Sequence, residues 1–205
     1  FIKKIYILLS IQLSITWSMS YLCYSNVSAT QFVLHTPGAL VVAILGTFLT
    51  LFLSWCYGKS YPCNYIILFI FTLCESYSIS YICLFYEPHG ILLAWGLTAT
   101  IFIVLSLYVI STGNDFDFLA AGLFATLWIV IIGGIIQAVW LPNDTFLNTS
   151  MAILGAIVAC GYILYDTSII IRRLDPDDFV FACMSLYLDV IMLFVRLLEL
   201  FGDRH

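Results

Sequence analysis

Seven long apolar runs dominate the chain, near 5–24, 37–57, 64–85, 90–111, 117–140, 150–171 and 180–201. Each has about the 20 residues that carry a helix across a hydrocarbon core. In lipid the backbone must satisfy its own hydrogen bonds, so runs of this length are helices. Turn-forming residues mark the breaks. Pro37-Gly38 opens the second run, Lys59 to Asn64 precede the third, and Glu87-Pro88-His89-Gly90 part the third from the fourth. Thr112-Gly113-Asn114-Asp115, Pro142-Asn143-Asp144 and Asp175-Pro176-Asp177-Asp178 close the fourth, fifth and sixth. The pattern predicts an all-α membrane protein, one seven-helix domain over residues 1–205 with no internal repeat or linker.

Composition supports the lipid setting. Apolar residues make up 63% and charged residues 9%, against about 45–50% and about 25% in a soluble domain. Seven spans of about 21 residues leave only short loops, so a soluble catalytic domain is excluded. A net charge of −5 argues against a nucleic-acid partner, which needs a basic patch. The seven cysteines form no CxxC and no Cys/His ligand set, so most read as apolar packing residues. Cys23 and Cys83 fall near one membrane face, where a disulfide is conceivable. The chain starts at Phe1, so further residues are expected beyond its ends.

Basic residues set the orientation. With Lys3-Lys4 in the cytoplasm, alternate counting also places Lys59 and Arg172-Arg173 there, which is five of the seven basic residues. The three N-x-[ST] sequons, at Asn26, Asn143 and Asn148, fall on the opposite side. The first apolar run is too long for a signal peptide and reads as a retained helix.

Five ionisable residues lie within the spans: Glu75, Asp166, Asp189, Arg196 and Glu199. Each costs on the order of 3 kcal/mol at a helix centre facing lipid. Arg196 and Glu199 lie near an end and can snorkel, but the three other acids must face the interior. At about 100° per residue, Ser185, Asp189, Met192, Arg196, Glu199 and Asp203 share one face of the seventh span. Gly155, Tyr162 and Asp166 share a face of the sixth, where Ala152, Ala156 and Cys160 give small-xxx-small spacing. Thr72, Glu75 and Ser78 cluster on the third.

Depth arithmetic joins two of these acids. Asp166 lies about 9 Å inside the end of the sixth span and Asp189 about 15 Å inside the same end of the seventh, at about 1.5 Å per residue. The two spans are joined by a short loop and run antiparallel. If the faces meet, both carboxylates cannot stay charged cheaply and the pair shares a proton. The same oxygens suit a hard cation such as Ca²⁺, held transiently by Asp166 and Asp189. A structural reading competes: Asp189 pairs with Arg196, or Asp166 joins a hydrogen-bond network with Tyr162. Glu75 fits either role, and Arg196 reads first as a structural counter-ion. Asp175, Asp177 and Asp178 read as a solvated loop, and His35 and His89 as loop residues.

Gly161–Thr167 (GYILYDT) followed by Ser185–Leu198 (SLYLDVIMLFVRLL) resembles the C-terminal signature of the transmembrane Bax inhibitor motif family. Phe71–Tyr77 (FTLCESY), Asn114–Phe118 (NDFDF) and Ala121–Trp128 (AGLFATLW) resemble its Golgi anti-apoptotic, lifeguard-type branch, and Phe1–Tyr6 fits the start of its first helix. The many aromatics suit a viral, herpesvirus-type relative. The resemblance implies a seven-helix bundle with the last helix central. It also implies a pH-sensitive Ca²⁺ leak from endoplasmic reticulum and Golgi stores, and protection from apoptosis. The family's paired aspartates match Asp166 and Asp189, and its acid on the third helix matches Glu75. Bacterial members carry a basic latch residue on the second helix. Residues 37–57 hold no charge, only Thr47, Thr50 and Ser54, which leaves Arg196 as the candidate latch.

The expectation is therefore a multi-pass Ca²⁺-permeable leak channel of the endoplasmic reticulum and Golgi, its N-terminus cytoplasmic, gated by Asp166 and Asp189. Glu75, Arg196, Glu199, Tyr162 and Ser185 are the supporting polar residues. Ca²⁺ enters as the permeating ion, with no cofactor and no catalysis. The partners expected are the lipid bilayer, Ca²⁺ and other membrane proteins. The rival is a non-conducting interaction protein that modulates apoptosis or host membrane proteins. A receptor is disfavoured by short cytoplasmic loops, and a zinc hydrolase by spans without histidine.

Overall fold

The computed structural model describes residues 1–140 and 145–203. Among them are eight α-helices: α1 (Ile2–Ser25), α2 (Val27–His35), α3 (Pro37–Tyr57), α4 (Cys63–Cys83), α5 (Pro88–Thr112), α6 (Ala120–Trp140), α7 (Thr145–Arg172) and α8 (Phe179–Phe201). Short 3-10 turns, Asp117–Leu119 and Pro176–Asp178, lead into α6 and α8. No strand occurs among the described residues. Seven helices, all but α2, are long and apolar enough to cross a membrane.

Local chemistry sets most boundaries. Pro37 and Pro88 stand at the first positions of α3 and α5, where a missing N–H costs nothing. Gly113 ends α5 at φ +61°, a left-handed conformation that glycine adopts without Cβ strain. Its N–H caps the Val109 carbonyl at 2.9 Å. The nine-residue α2 is an addition to the expected elements. The Asn26 side chain starts it, accepting a hydrogen bond from the Ser28 N–H at 3.0 Å. The sixth span begins at Thr145, five residues before the expected start at 150. Asn148 therefore lies inside a helix, where its Oδ1 accepts from the Gln137 amide. The sequon at Asn143 and the break at Pro142–Asp144 lie outside the described residues, as does Arg204. His35 closes α2 and His89 lies in the first turn of α5, both exposed, so neither is the loop residue expected. Cys23 and Cys83 are buried free thiols with no disulfide.

The described chain falls into two compact units. One comprises residues 1–87 and 174–187, the other 88–173 and 188–203. In the first, α4 packs against both α1 and α3, and α2 touches α1 and α3. Its α1–α4 seam is polar. Gln12 Nε2 donates to Thr72 Oγ1 at 2.9 Å, Thr16 meets Ser76 at 2.9 Å, and Ser20 meets Ser80 at 3.3 Å. Each pair is 60 residues apart. A constant offset means that α1 and α4 run in the same direction, with α3 returning between them in sequence. Such hydroxyl contacts, with small side chains, substitute for the hydrophobic drive that lipid removes. Lys59 meets Asp178 at 2.9 Å, and Lys4 Nζ sits 3.2 Å from the centre of the Phe179 ring. The start of α1, the α3–α4 loop and the start of α8 thus share one end of this unit.

In the second unit α7 packs against α5 and α6. Asp115, beyond the C-terminus of α5, pairs with Arg172 at the end of α7 at 3.4 Å, and Arg173 pairs with Asp117. These helices therefore also run in the same direction. Leu123, Val130 and Val158 form an apolar cluster against which Tyr162, Tyr165 and Met192 pack.

Helix α8 contributes its first nine residues, 179–187, to the first unit and the remainder to the second. It is the most buried span, 67% of its apolar window against 44% for α4, the next. Tyr187 stands edge-on to Phe71 in the first unit, and Phe194 stacks on Trp95 at 4.2 Å in the second.

Candidate functional site

Six of the candidate residues come from α7 and α8 and one from α4. On α7, Asp166 stands six residues before the terminal Arg172, and on α8, Asp189 stands ten residues after Phe179. At about 1.5 Å per residue these are depths of about 9 and about 15 Å. Asp189 is 8% exposed and Asp166 half-buried. Their carboxyls lie in side-chain hydrogen-bond contact within the second unit. Two carboxyl groups can hydrogen-bond to each other only if one carries a proton. The other Asp189 oxygen, Oδ2, is buried without a hydrogen-bond partner among the described residues. Tyr162, one turn before Asp166, lies near both acids.

More polar atoms gather in the same unit. Ser106 on α5 and Thr167 on α7 are buried, with hydroxyls lacking a partner among the described residues. They lie six and five residues from the paired ends of their parallel helices, so they share a level with Asp166. Buried polar atoms of this kind are exceptional in a packed interior. With Asp189 Oδ2, they are three buried, unpartnered polar oxygens of the second unit among the described residues. Ser106 and Thr167 were missed from sequence because hydroxyls are common in apolar helices. Their signal, a shared distance from the helix ends, needed the knowledge that α5 and α7 run parallel.

Arg196 points elsewhere. Its Nη1 lies 2.8 Å from Glu199 Oε2 on the same helix face, a three-residue spacing that helix geometry favours. The competing structural reading, a link between Asp189 and Arg196, is not the contact formed; the two stand two turns apart. Gly155 makes room for the arginine stem, since a Cβ there would stand 2.5 Å from Arg196 Nε.

Glu75 and Ser185 belong to the first unit. Both are half-buried, and Glu75 lies against the Thr47 hydroxyl. The seam built by Gln12, Thr16, Ser20, Thr72, Ser76, Ser80 and Tyr187 was also missed. Its signal in the sequence is a polar residue every four positions on two apolar runs, which carries no charge to set it apart.

Among the described residues no group of three or more His, Cys, Asp or Glu side chains could hold a metal ion. Two carboxyls supply few of the six to eight oxygens that Ca²⁺ takes. An ion passing them would keep much of its water.

The family model described as "Inhibitor of apoptosis-promoting Bax1" matches residues 1–205. The chain is 35% identical over 199 residues to "Protein lifeguard 4" of Mus musculus, covering 97% of this chain and 83% of that one. It is 33% identical over 200 residues to the "Golgi anti-apoptotic protein" of vaccinia virus (strain Lister), covering 98% and 84%. "Bax inhibitor 1" of Schizosaccharomyces pombe is 32% identical over 202 residues, covering 98% and 76%.

Proposed function

Because the chain belongs to the Bax inhibitor and lifeguard family of anti-apoptotic membrane proteins, we propose that it is a pH-sensitive Ca²⁺ leak gated by Asp166 and Asp189. It lowers store Ca²⁺ in the endoplasmic reticulum and Golgi and so protects the cell from apoptosis. The name of the vaccinia relative supports the Golgi location, and the clustered basic residues support a cytoplasmic N-terminus. This reading assigns the chain no catalysis.

One observation carries it: two acids from successive spans in hydrogen-bond contact, beside unpartnered buried oxygens. With one proton between them, Asp166 and Asp189 hold α7 against α8 and the path is closed. When the proton leaves, two carboxylates about 4 Å apart repel by about 4 kcal/mol at an effective dielectric constant of about 20. That is about a thousandfold in the balance of closed and open states. The charged pair then attracts a hydrated cation, with Ser106 and Thr167 lining its path. Tyr162 orients the pair, Arg196 and Glu199 neutralise one another toward the far end of α8, and Glu75 and Ser185 line the first unit.

The test is Ca²⁺ flux against pH in proteoliposomes of the purified chain. Flux rises with pH in the wild type, and Asp166→Asn and Asp189→Asn each flatten that response. Unchanged flux and pH response in both variants would discard the gate. No flux from the wild type at any pH would leave the non-conducting interaction protein as the better reading.

A further inference from the structure

The thiols of the chain are unevenly placed. Among the described residues, which include every cysteine, Cys23, Cys83 and Cys183 are buried and Cys74 and Cys160 half-buried. Cys56 and Cys63 are exposed. Free cysteine is among the most buried residue types, so two exposed thiols flanking one short loop call for a reason.

Their position supplies one. Cys56 lies in the last turn of α3, one residue before its end, and Cys63 is the first residue of α4. Both helices are long and apolar enough to cross a membrane. At about 1.5 Å per residue, Cys56 lies about 2 Å inside the end of its span, so both thiols stand where lipid meets water. The neighbouring aromatics agree. Trp55 and Tyr61 are 89% and 82% exposed, and Trp and Tyr concentrate at the membrane–water boundary. The apolar window of α3 is 22% buried, which leaves most of that helix to lipid. The same end of the unit carries Lys4 and Lys59. Two thiols with no third ligand make no metal site among the described residues. Cysteines beside the cytoplasmic end of a span are acceptors for S-acylation. A long-chain acyl thioester collects at the same boundary, its chain in lipid and its polar head in water.

We propose that Cys56 and Cys63 are S-acylation sites, each carrying a long-chain fatty acid as a thioester. The donor is a long-chain acyl-coenzyme A. The cysteine sulfur attacks its carbonyl carbon and forms the new C–S bond. The bond from that carbon to the coenzyme A sulfur breaks, and coenzyme A leaves as a thiol with the proton the cysteine gave up. The acyl chains enter the cytoplasmic leaflet, and two chains hold the α3–α4 loop at one depth more firmly than one. The proposal rests on the cytoplasmic orientation of this end given above.

The experiment expresses the full chain in cells fed an alkynyl palmitate, then couples the purified protein to an azide dye. Label that neutral hydroxylamine removes is expected on the wild type, reduced in Cys56→Ser and in Cys63→Ser, and absent from the double variant. Cys74→Ser and Cys160→Ser should keep the wild-type level. On intact microsomes an impermeant maleimide should label Cys63 more fully after hydroxylamine than before. No labile label on the wild type, with maleimide still reaching Cys63 from outside, would overturn the proposal and leave the orientation standing. Label that the double variant keeps, or that hydroxylamine does not remove, would also overturn it. Maleimide that reaches Cys63 only after permeabilisation would overturn the orientation and the proposal together.

Discussion

Thr16 shows how one side chain sets helix contacts in a protein where apolar residues are everywhere. Its hydroxyl donates to the Gln12 carbonyl at 2.9 Å. With that proton committed, the hydroxyls of Ser76, at 2.9 Å, and Tyr187, at 2.8 Å, donate to it. Thr16→Val keeps the shape and removes the acceptor for both. At about 0.6 kcal/mol for an interhelical hydrogen bond in a membrane, the loss is about 1 kcal/mol. It should appear as an earlier unfolding midpoint in mixed micelles, whereas Ser14→Ala, which removes a bond to its own helix, leaves the midpoint in place. Equal midpoints for wild type and Thr16→Val would refute the role. The same scale divides what the sequence made legible from what it hid. A buried carboxyl is costly in lipid, so Asp166 and Asp189 announced themselves and their depths brought them together. A hydroxyl is cheap there because it can bond its own backbone, so Thr16, Ser106 and Thr167 did not stand out. Two acids, Asp189 and Glu199, share the helix face of Arg196 and were both candidate partners. Glu199 is nearer along the helix, and proximity decided.

At the scale of elements, the apolar runs gave six of the seven spans to within about three residues, because water-to-lipid transfer dominates every other preference. The sixth begins earlier because Thr145 to Thr149 are polar enough to read as loop yet continue the helix of the apolar run. Helix α2 escaped because nine residues are too few to span and nothing but the Asn26 cap signals it. Loops hold the helix ends in place through charge. The Asp178 carboxylate accepts a hydrogen bond from Lys59 at 3.1 Å and raises the lysine above its ordinary value. A raised lysine supports the folded state at pH below its ordinary value, and that support fades as pH climbs through the raised one. An NMR titration should find Lys59 elevated in the wild type and returned to the ordinary lysine range in Asp178→Asn. No difference between the two would show that the contact does not form in solution. Both groups are exposed, so the effect on overall stability is small.

For the whole molecule, the account rests on an alternating topology with its basic residues on the cytoplasmic side. Each unit agrees internally: α1 runs parallel to α4, and α5 to α7, as successive odd and even spans require. Cys63, exposed at the start of α4, reports the side directly. A membrane-impermeant maleimide added to intact microsomes should label it, with Cys63→Ser as control. Label that appears only after permeabilisation would invert the topology. The proposed gate then reduces to one proton held between Asp166 and Asp189. Infrared titration of the protonated-carboxyl stretch measures that proton, with Glu75→Gln as the background to remove the half-buried acid of α4. The account predicts a band worth one proton per chain at neutral pH that disappears on alkalinisation and is missing from the Asp166→Asn, Asp189→Asn double variant. A band that survives in the double variant, or none at neutral pH with both aspartates present, would contradict it.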